Sequence, residues 1–152
     1  MEQVIIREKE FQKARKAIKE AQNEKKKIIF SSNDDELNKK VLEKEPINTL
    51  LINLSERKDR GKQRDSGFNQ VLAKIAKKNK ISIGINLDEI LNAKSLKEKS
   101  EIISRIRQNI KLSNKDHLQM EFISEKGKKT RNHDLRALGL SLGMPTSMTK
   151  NF

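Results

Sequence analysis

Two stretches decide the fold: Ile47-Asn48-Thr49-Leu50-Leu51-Ile52-Asn53 and Ile81-Ser82-Ile83-Gly84-Ile85-Asn86-Leu87. Both are short and aliphatic, with little of the polar alternation that marks a strand wet on one face. They read as strands buried on both sides, the pattern of a parallel sheet covered by helices. Working outward, three further apolar runs occupy Val4–Arg7, Lys27–Ser31 and Leu118–Ser124. Between the runs the period changes from two to that of a helix. Phe11, Ala14, Ala17, Ile18 and Ala21 fall on one face, with Lys and Glu filling the other. Asp34 and Asp35 stand where an N-cap belongs, ahead of Leu37, Val41 and Leu42. Phe68, Val71, Leu72 and Ile75 make a third stripe. Ile102, Ile103, Ile106 and Ile110 make a fourth, after a short turn around Glu89–Leu91. Leu135, Leu138 and Leu142 form a last helix, ended by Gly143 and Pro145. Five strand–helix units predict an α/β fold, a parallel sheet or barrel, as a single domain over residues 1–152.

Charge narrows the function. Lys and Arg number 34 against 21 Asp and Glu, a net charge of +13. Such an excess repels itself in a compact domain and points to a polyanionic partner, although a lysine-rich proteome would produce part of it. Hydrophobic residues make up 34% and aromatics 3%, with neither Trp nor Tyr, so the core must be built lean, from Ile, Leu, Val and Phe. The absence of Cys excludes disulfides and thiolate metal sites. No apolar run approaches the roughly 18 residues of a membrane span, and no signal-peptide pattern opens the chain. The expectation is a soluble, cytoplasmic protein with no membrane role.

In a βα architecture the loops that follow strands emerge on one rim, where sites are usually built. Two of these loops are strongly basic. One, Ser55–Asp65, carries Arg57, Lys58, Arg60, Lys62 and Arg64; the other, after the fifth run, carries Lys126, Lys128, Lys129 and Arg131. Gathered on one rim, these cations suit a phosphate backbone better than a small metabolite. Arg57, Arg60, Lys62, Arg64, Lys128, Lys129 and Arg131 are the expected phosphate contacts. Arg is concentrated in the first loop, and its fork binds phosphate bidentately where Lys offers a point charge. Asp65 and Asn69 are expected to fix that loop and cap the helix after it, and Asp134 to cap the last helix. Lys25–Lys27, Lys77, Lys78 and Lys80 fall on the opposite rim, a solvated face or a secondary RNA contact.

Signals for catalysis are thin. His117 opens the fifth run and reads as structural or exposed, and His133 stands beside Asp134. Asp65, Asp88 and Glu125 follow strands, but three carboxylates in a basic rim make a weak metal signal. No Gly-rich phosphate loop or nucleophile elbow is present. Neither catalytic nor metal-ligating residues are expected. Phe68 and Phe122 sit at core positions, which leaves no stacking platform near the basic loops. The expected mode is recognition of a folded RNA by backbone and shape.

Asp65-Ser66-Gly67-Phe68-Asn69, then Leu72-Ala73-Lys74-Ile75-Ala76 and the Ile81–Leu87 run, resemble the central block of one ribonuclease P protein family. This is the thirty-kilodalton subunit shared by archaea and eukaryotes, also called archaeal ribonuclease P protein component three. Phe122-Ile123-Ser124, a basic loop, Arg131, Asp134-Leu135 and Leu138-Gly139-Leu140-Ser141-Leu142-Gly143-Met144 resemble its closing strand, loop and helix. The likeness is clearest over residues 47–148. It implies a reduced or open TIM-like barrel, related to the polymerase-histidinol-phosphatase (PHP) fold, without catalytic residues of its own. It also implies a second protein subunit as partner, with ribonuclease P RNA bound directly and precursor tRNA engaged indirectly. The RNA would hold Mg2+ and remove the 5′ leader. The chain departs from the family in lacking its additional opening elements, a second Ser beside Ser124 and a Pro near Asn132 and His133; its Ser55–Asp65 loop is longer and more basic. The rival readings are a metal-dependent phosphoesterase on a barrel scaffold and a basic ribosome-associated protein.

Overall fold

A computed structural model describes residues 2–125 and 130–152. The strands are β1 (Gln3–Arg7), β2 (Lys27–Ser31), β3 (Thr49–Ile52), β4 (Ser82–Asn86) and β5 (Met120–Ile123). The helices are α1 (Phe11–Asn23), α2 (Asp35–Lys44), α3 (Gln70–Asn79), α4 (Leu87–Leu91), α5 (Leu96–Lys115), α6 (Asn132–Leu142) and α7 (Thr146–Thr149). All strand pairings are parallel, and the order across the sheet is the order along the chain, β1-β2-β3-β4-β5. The α/β class and the parallel strands read from the sequence are present. The sheet is open, with β1 and β5 as its edges.

The central strands explain the unbroken apolar runs. Ile28 and Phe30 of β2, Leu50 and Ile52 of β3, and Ile83 and Ile85 of β4 pack beneath the helices in the main core. Ile29, Leu51 and Ile123 form a second, smaller cluster, with Ile5 packed against it. Successive side chains of a strand point to opposite faces, so both faces must be apolar. Gly84 belongs to this second face. A Cβ there would lie 3.2 Å from Ile123, Leu51 and Thr49, so the bare position makes room for neighbours on either side.

Side chains reveal that the sheet is curled. Strands lie about 4.8 Å apart, so a flat sheet would hold β2 and β5 about 14 Å apart, and β1 and β5 about 19 Å. Yet Lys27 Nζ donates to both carboxylate oxygens of Glu121 at 2.8 Å, and Thr49 Oγ1 donates to Glu121 Oε1 at 2.7 Å. Arg7 Nε donates to Glu125 Oε1 at 2.8 Å. The register is staggered as well. A continuous paired row runs Ile6, Phe30, Leu50, Ile83, Met120, which places Arg7 level with Glu121. Arg7 nevertheless meets Glu125, further along the chain, a stagger that tilted strands acquire when a sheet coils.

Helix starts follow local chemistry. The Asp34 carboxylate accepts from the backbone N–H of Glu36 at 3.0 Å and of Leu37 at 3.4 Å, and Asn86 accepts from Asp88 and Glu89. Gly143 ends α6 in the left-handed region, at φ 108°. The last long helix begins earlier than its apolar stripe suggests. Arg131 is its N-cap residue, so Asp134 lies in the first turn and is not the cap. There its charge still faces the positive end of the helix dipole. His117 stands ahead of β5, exposed and in the left-handed region at φ 56°.

Candidate nucleic-acid interface

Because the strands are parallel, their C-terminal ends share one rim, and the connection from β3 to α3, residues 53–69, is the longest built on it. Its tip is a small antiparallel turn. Arg60 N–H donates to Gln63 O at 3.0 Å and Gln63 N–H to Arg60 O at 2.9 Å, with Gly61 left-handed at φ 55° between them. Lys58, Arg60, Lys62 and Arg64 are exposed around this turn, and among the described residues none of their side chains makes a hydrogen bond or ion pair. They line a groove between the loop and the first turns of α2 and α3, with Lys39, Asp35 and Glu36 on its far wall. The bland reading of such a loop is a solvated excursion. Its base is too heavily bonded for that.

Arg57 stands apart from the other cations. Its side chain is only 9% exposed. Nε donates to Asn53 O at 2.6 Å, Nη1 to Asp35 and Asp65 at 3.1 Å each, and Nη2 to Asp35 at 3.1 Å. Burial works against its charge, but hydrogen bonds and attraction from Asp35 and then Asp65 outweigh burial and raise its pKa above the ordinary value. Arg57 was expected as a phosphate contact; in the structure two carboxylates and a carbonyl already occupy its fork. Gly67 completes the clasp. At φ 68°, a Cβ there would lie 2.4 Å from Arg57 Nη2.

Helices α4 and α5 hold the loop from below. The Glu89 carboxylate accepts from the backbone N–H of Leu54 and of Ser55, both at 2.8 Å. Arg105, 3% exposed, donates to Leu54 O at 3.2 Å, Arg57 O at 2.9 Å and Asp59 Oδ1 at 3.3 Å. Asn109 donates to Ser66 O at 3.1 Å, and Gln108 to Arg64 O at 3.3 Å and Ser66 Oγ at 3.1 Å. Asp59 accepts from Asp65 N–H at 2.7 Å. That bond, opposed by partial burial and aided by Arg105 and Arg64, holds the Asp59 carboxyl below its usual 3.8. The sequence pattern assigns no site role to Glu89, which it places only in a turn, nor to Arg105, Gln108 and Asn109. A signal existed: Arg105 and Asn109 lie on the same helical stripe as Ile102, Ile106 and Ile110, polar residues on a face otherwise committed to the core.

The other expected positions separate clearly. Asp65 Oδ1 accepts from Gly67 N–H at 3.0 Å as well as from Arg57, and Asn69 caps α3 by accepting from Leu72 N–H at 2.9 Å. Arg131 is exposed at the start of α6 on the same rim. Lys128 and Lys129, with Lys126, lie outside the described residues. Ser124 Oγ and Glu125 N–H donate to Asp88 at 2.8 and 2.9 Å, tying the exit of β5 to α4. Among the described residues no group of three or more His, Asp or Glu could hold a metal ion, and no helix is long and apolar enough to cross a membrane.

No protein-family model and no curated protein matches the chain. Solved structures do resemble it. A chain in the cryo-EM structure of archaeal ribonuclease P with mature tRNA is similar with a TM-score of 0.77 and 24% identity, over 97% of this chain and 62% of that one. An uncharacterized protein known from a crystal structure is similar with a TM-score of 0.55 and 9% identity, over 80% of this chain and 33% of that one. At these identities the likeness is one of fold, and this chain spans less than two thirds of either neighbour. Fold and surface together define a class: an open, curled α/β sheet carrying a braced basic loop on the rim where such folds build their sites.

Proposed function

We propose that the chain binds structured RNA through the rim that carries residues 53–69. More particularly, we infer a protein subunit of ribonuclease P, of the thirty-kilodalton type shared by archaea and eukaryotes. The observation that carries this reading is the fold likeness over 97% of the chain to a component of an archaeal ribonuclease P structure. It agrees with the motifs in residues 65–87 and 122–144 and with the cations at the loop tip. In this reading the curled sheet is a reduced, open relative of the TIM-like barrels. Lys58, Arg60, Lys62, Arg64 and Arg131 meet phosphates, joined by Lys128 and Lys129. The polypeptide cuts nothing itself. It offsets phosphate repulsion so that the RNA, with its own Mg2+, adopts the form that removes the 5′ leader of precursor tRNA in the cytoplasm. A second protein subunit shares the work.

Reconstitution tests this. The protein, a partner subunit and ribonuclease P RNA are combined with precursor tRNA while magnesium is titrated. The expected result is cleavage at lower magnesium when the chain is present, and tighter binding to ribonuclease P RNA than to ribosomal RNA of similar size. Cleavage by the protein alone, abolished by EDTA, would favour a metal-dependent phosphoesterase. Equal affinity for both RNAs would favour a ribosome-associated role.

A further inference from the structure

Lysines on a mobile loop bind any polyanion, because counterion release does not depend on how the charges are arranged. Phosphates on a folded RNA have fixed spacing, and only cations held in fixed places can match it. The 53–69 loop belongs to the second kind, and the groups that make it so lie behind it. Arg105 is buried on α5, and its fork reaches the carbonyls of Leu54 and Arg57 and the Asp59 carboxylate. Asp59 in turn accepts the backbone N–H of Asp65, across the turn that displays Arg60 and Lys62. The fork thus joins both limbs of the loop, the entering limb through two carbonyls and the returning limb through Asp59. Arg57 pins the same two limbs to each other through Asn53 O and Asp65, and to α2 through Asp35. One arginine ties the loop to α2, the other to α5.

We propose that Arg105 and Arg57 are positioning residues that convert the loop from a generic polyanion binder into a template for one folded RNA. The proposal rests on the RNA-binding reading above and adds the source of its selectivity. Neither arginine touches RNA. Each acts through the backbone that carries Lys58, Arg60, Lys62 and Arg64. Arg suits this work where Lys does not, since one guanidinium can hold several acceptors in fixed directions while an ammonium cannot.

The test compares the full chain's affinity for ribonuclease P RNA with its affinity for a generic RNA duplex of equal length, at one salt concentration. Asp59→Ala removes the acceptor that links Arg105 to the returning limb. Its side chain is 42% exposed, so the core is untouched. Arg105→Lys keeps the charge and loses the fork. In both variants the preference for ribonuclease P RNA should fall about tenfold, the scale of one charge-assisted hydrogen bond. Duplex binding should not weaken in either variant, since the four cations remain, and Asp59→Ala, which removes an anion beside Arg64, should strengthen it slightly. Should Arg105→Lys fail to fold, Asp59→Ala decides alone. A preference kept in the variants, or duplex affinity falling by the same factor, overturns the positioning role. Absence of any preference in the wild-type chain overturns the RNA-binding reading instead, and this proposal with it.

Discussion

The two rims of the sheet carry similar charge and treat it differently. On the strand-following rim, Lys58, Arg60, Lys62 and Arg64 project from a long loop whose base is bonded to α2, α4 and α5. On the strand-preceding rim the connections are tight, and Lys25, Lys80 and His117 each occupy the left-handed region at φ 55°, 57° and 56°. All three follow helix C-termini, where the two lysines face the negative end of the dipole. Lysines there are also drawn into local pairs: Lys26 with Glu24 and Glu2, Lys27 with Glu121, and Lys77 with His117 O. On that rim Lys26 and Lys27 pair with carboxylates, while Lys25, Lys78 and Lys80 stay exposed around the ends of α1 and α3. The strand-following rim braces its backbone and leaves the charge outward, so charge count alone does not identify a binding face.

The largest expected effect breaks the brace. Arg105→Met leaves the Leu54 and Arg57 carbonyls without their donor beneath the loop, and urea unfolding should show a loss of about 3 kcal/mol. Gly67→Ala comes next, since it forces a side chain into the left-handed region against the Arg57 fork. A stability loss of about 2 kcal/mol is expected, with faster hydrogen exchange confined to the loop. Replacing Arg60, Lys62 and Arg64 together by Ala separates the rims directly. The slope of log affinity against log salt should shrink by about three, with stability unchanged within about 0.5 kcal/mol, whereas the same change at Lys77, Lys78 and Lys80 should leave the slope as it was. Smallest is Lys80→Gly, which relieves a left-handed lysine and should raise stability by about 0.5–1 kcal/mol without altering RNA binding. Acidity should act on the braced rim through Asp59. The Asp59 pKa is depressed on folding, so its contribution is complete above the unfolded value of 3.8 and is lost as pH falls through the lower folded value. The loop should therefore be insensitive to pH near neutrality and loosen only below about pH 4, as hydrogen exchange would report.

Much of this was legible in the sequence because it is local. The unbroken aliphatic runs at 47–53 and 81–87 mark strands covered on both faces, and Asp34, Asn69 and Gly143 announce helix ends through their own side chains or lack of one. The site was legible only as a set of charges. Nothing near Arg57 in sequence tells it apart from Arg60; its partner Asp35 lies 22 residues away and joins it only once α2 packs beside the loop. Curling of the sheet was hidden for the same reason, since Lys27 and Glu121 are separated by 94 residues. Arg105 and Asn109 were within reach, as polar members of an apolar stripe. Asp134 misled because a good capping residue sat two positions inside a helix that begins without one.

The grip of Arg105 on the loop also sets a timetable. The carbonyl of Arg57 waits for a donor 48 residues further along the chain, and Ser66 O waits 43 residues for Asn109. A ribosome adds about 5–20 residues per second, so several seconds separate synthesis of the basic loop from arrival of the helix that braces it. During that interval the nascent chain exposes its cations without their arrangement. The braced form of the loop is thus acquired late in synthesis, when α5 docks.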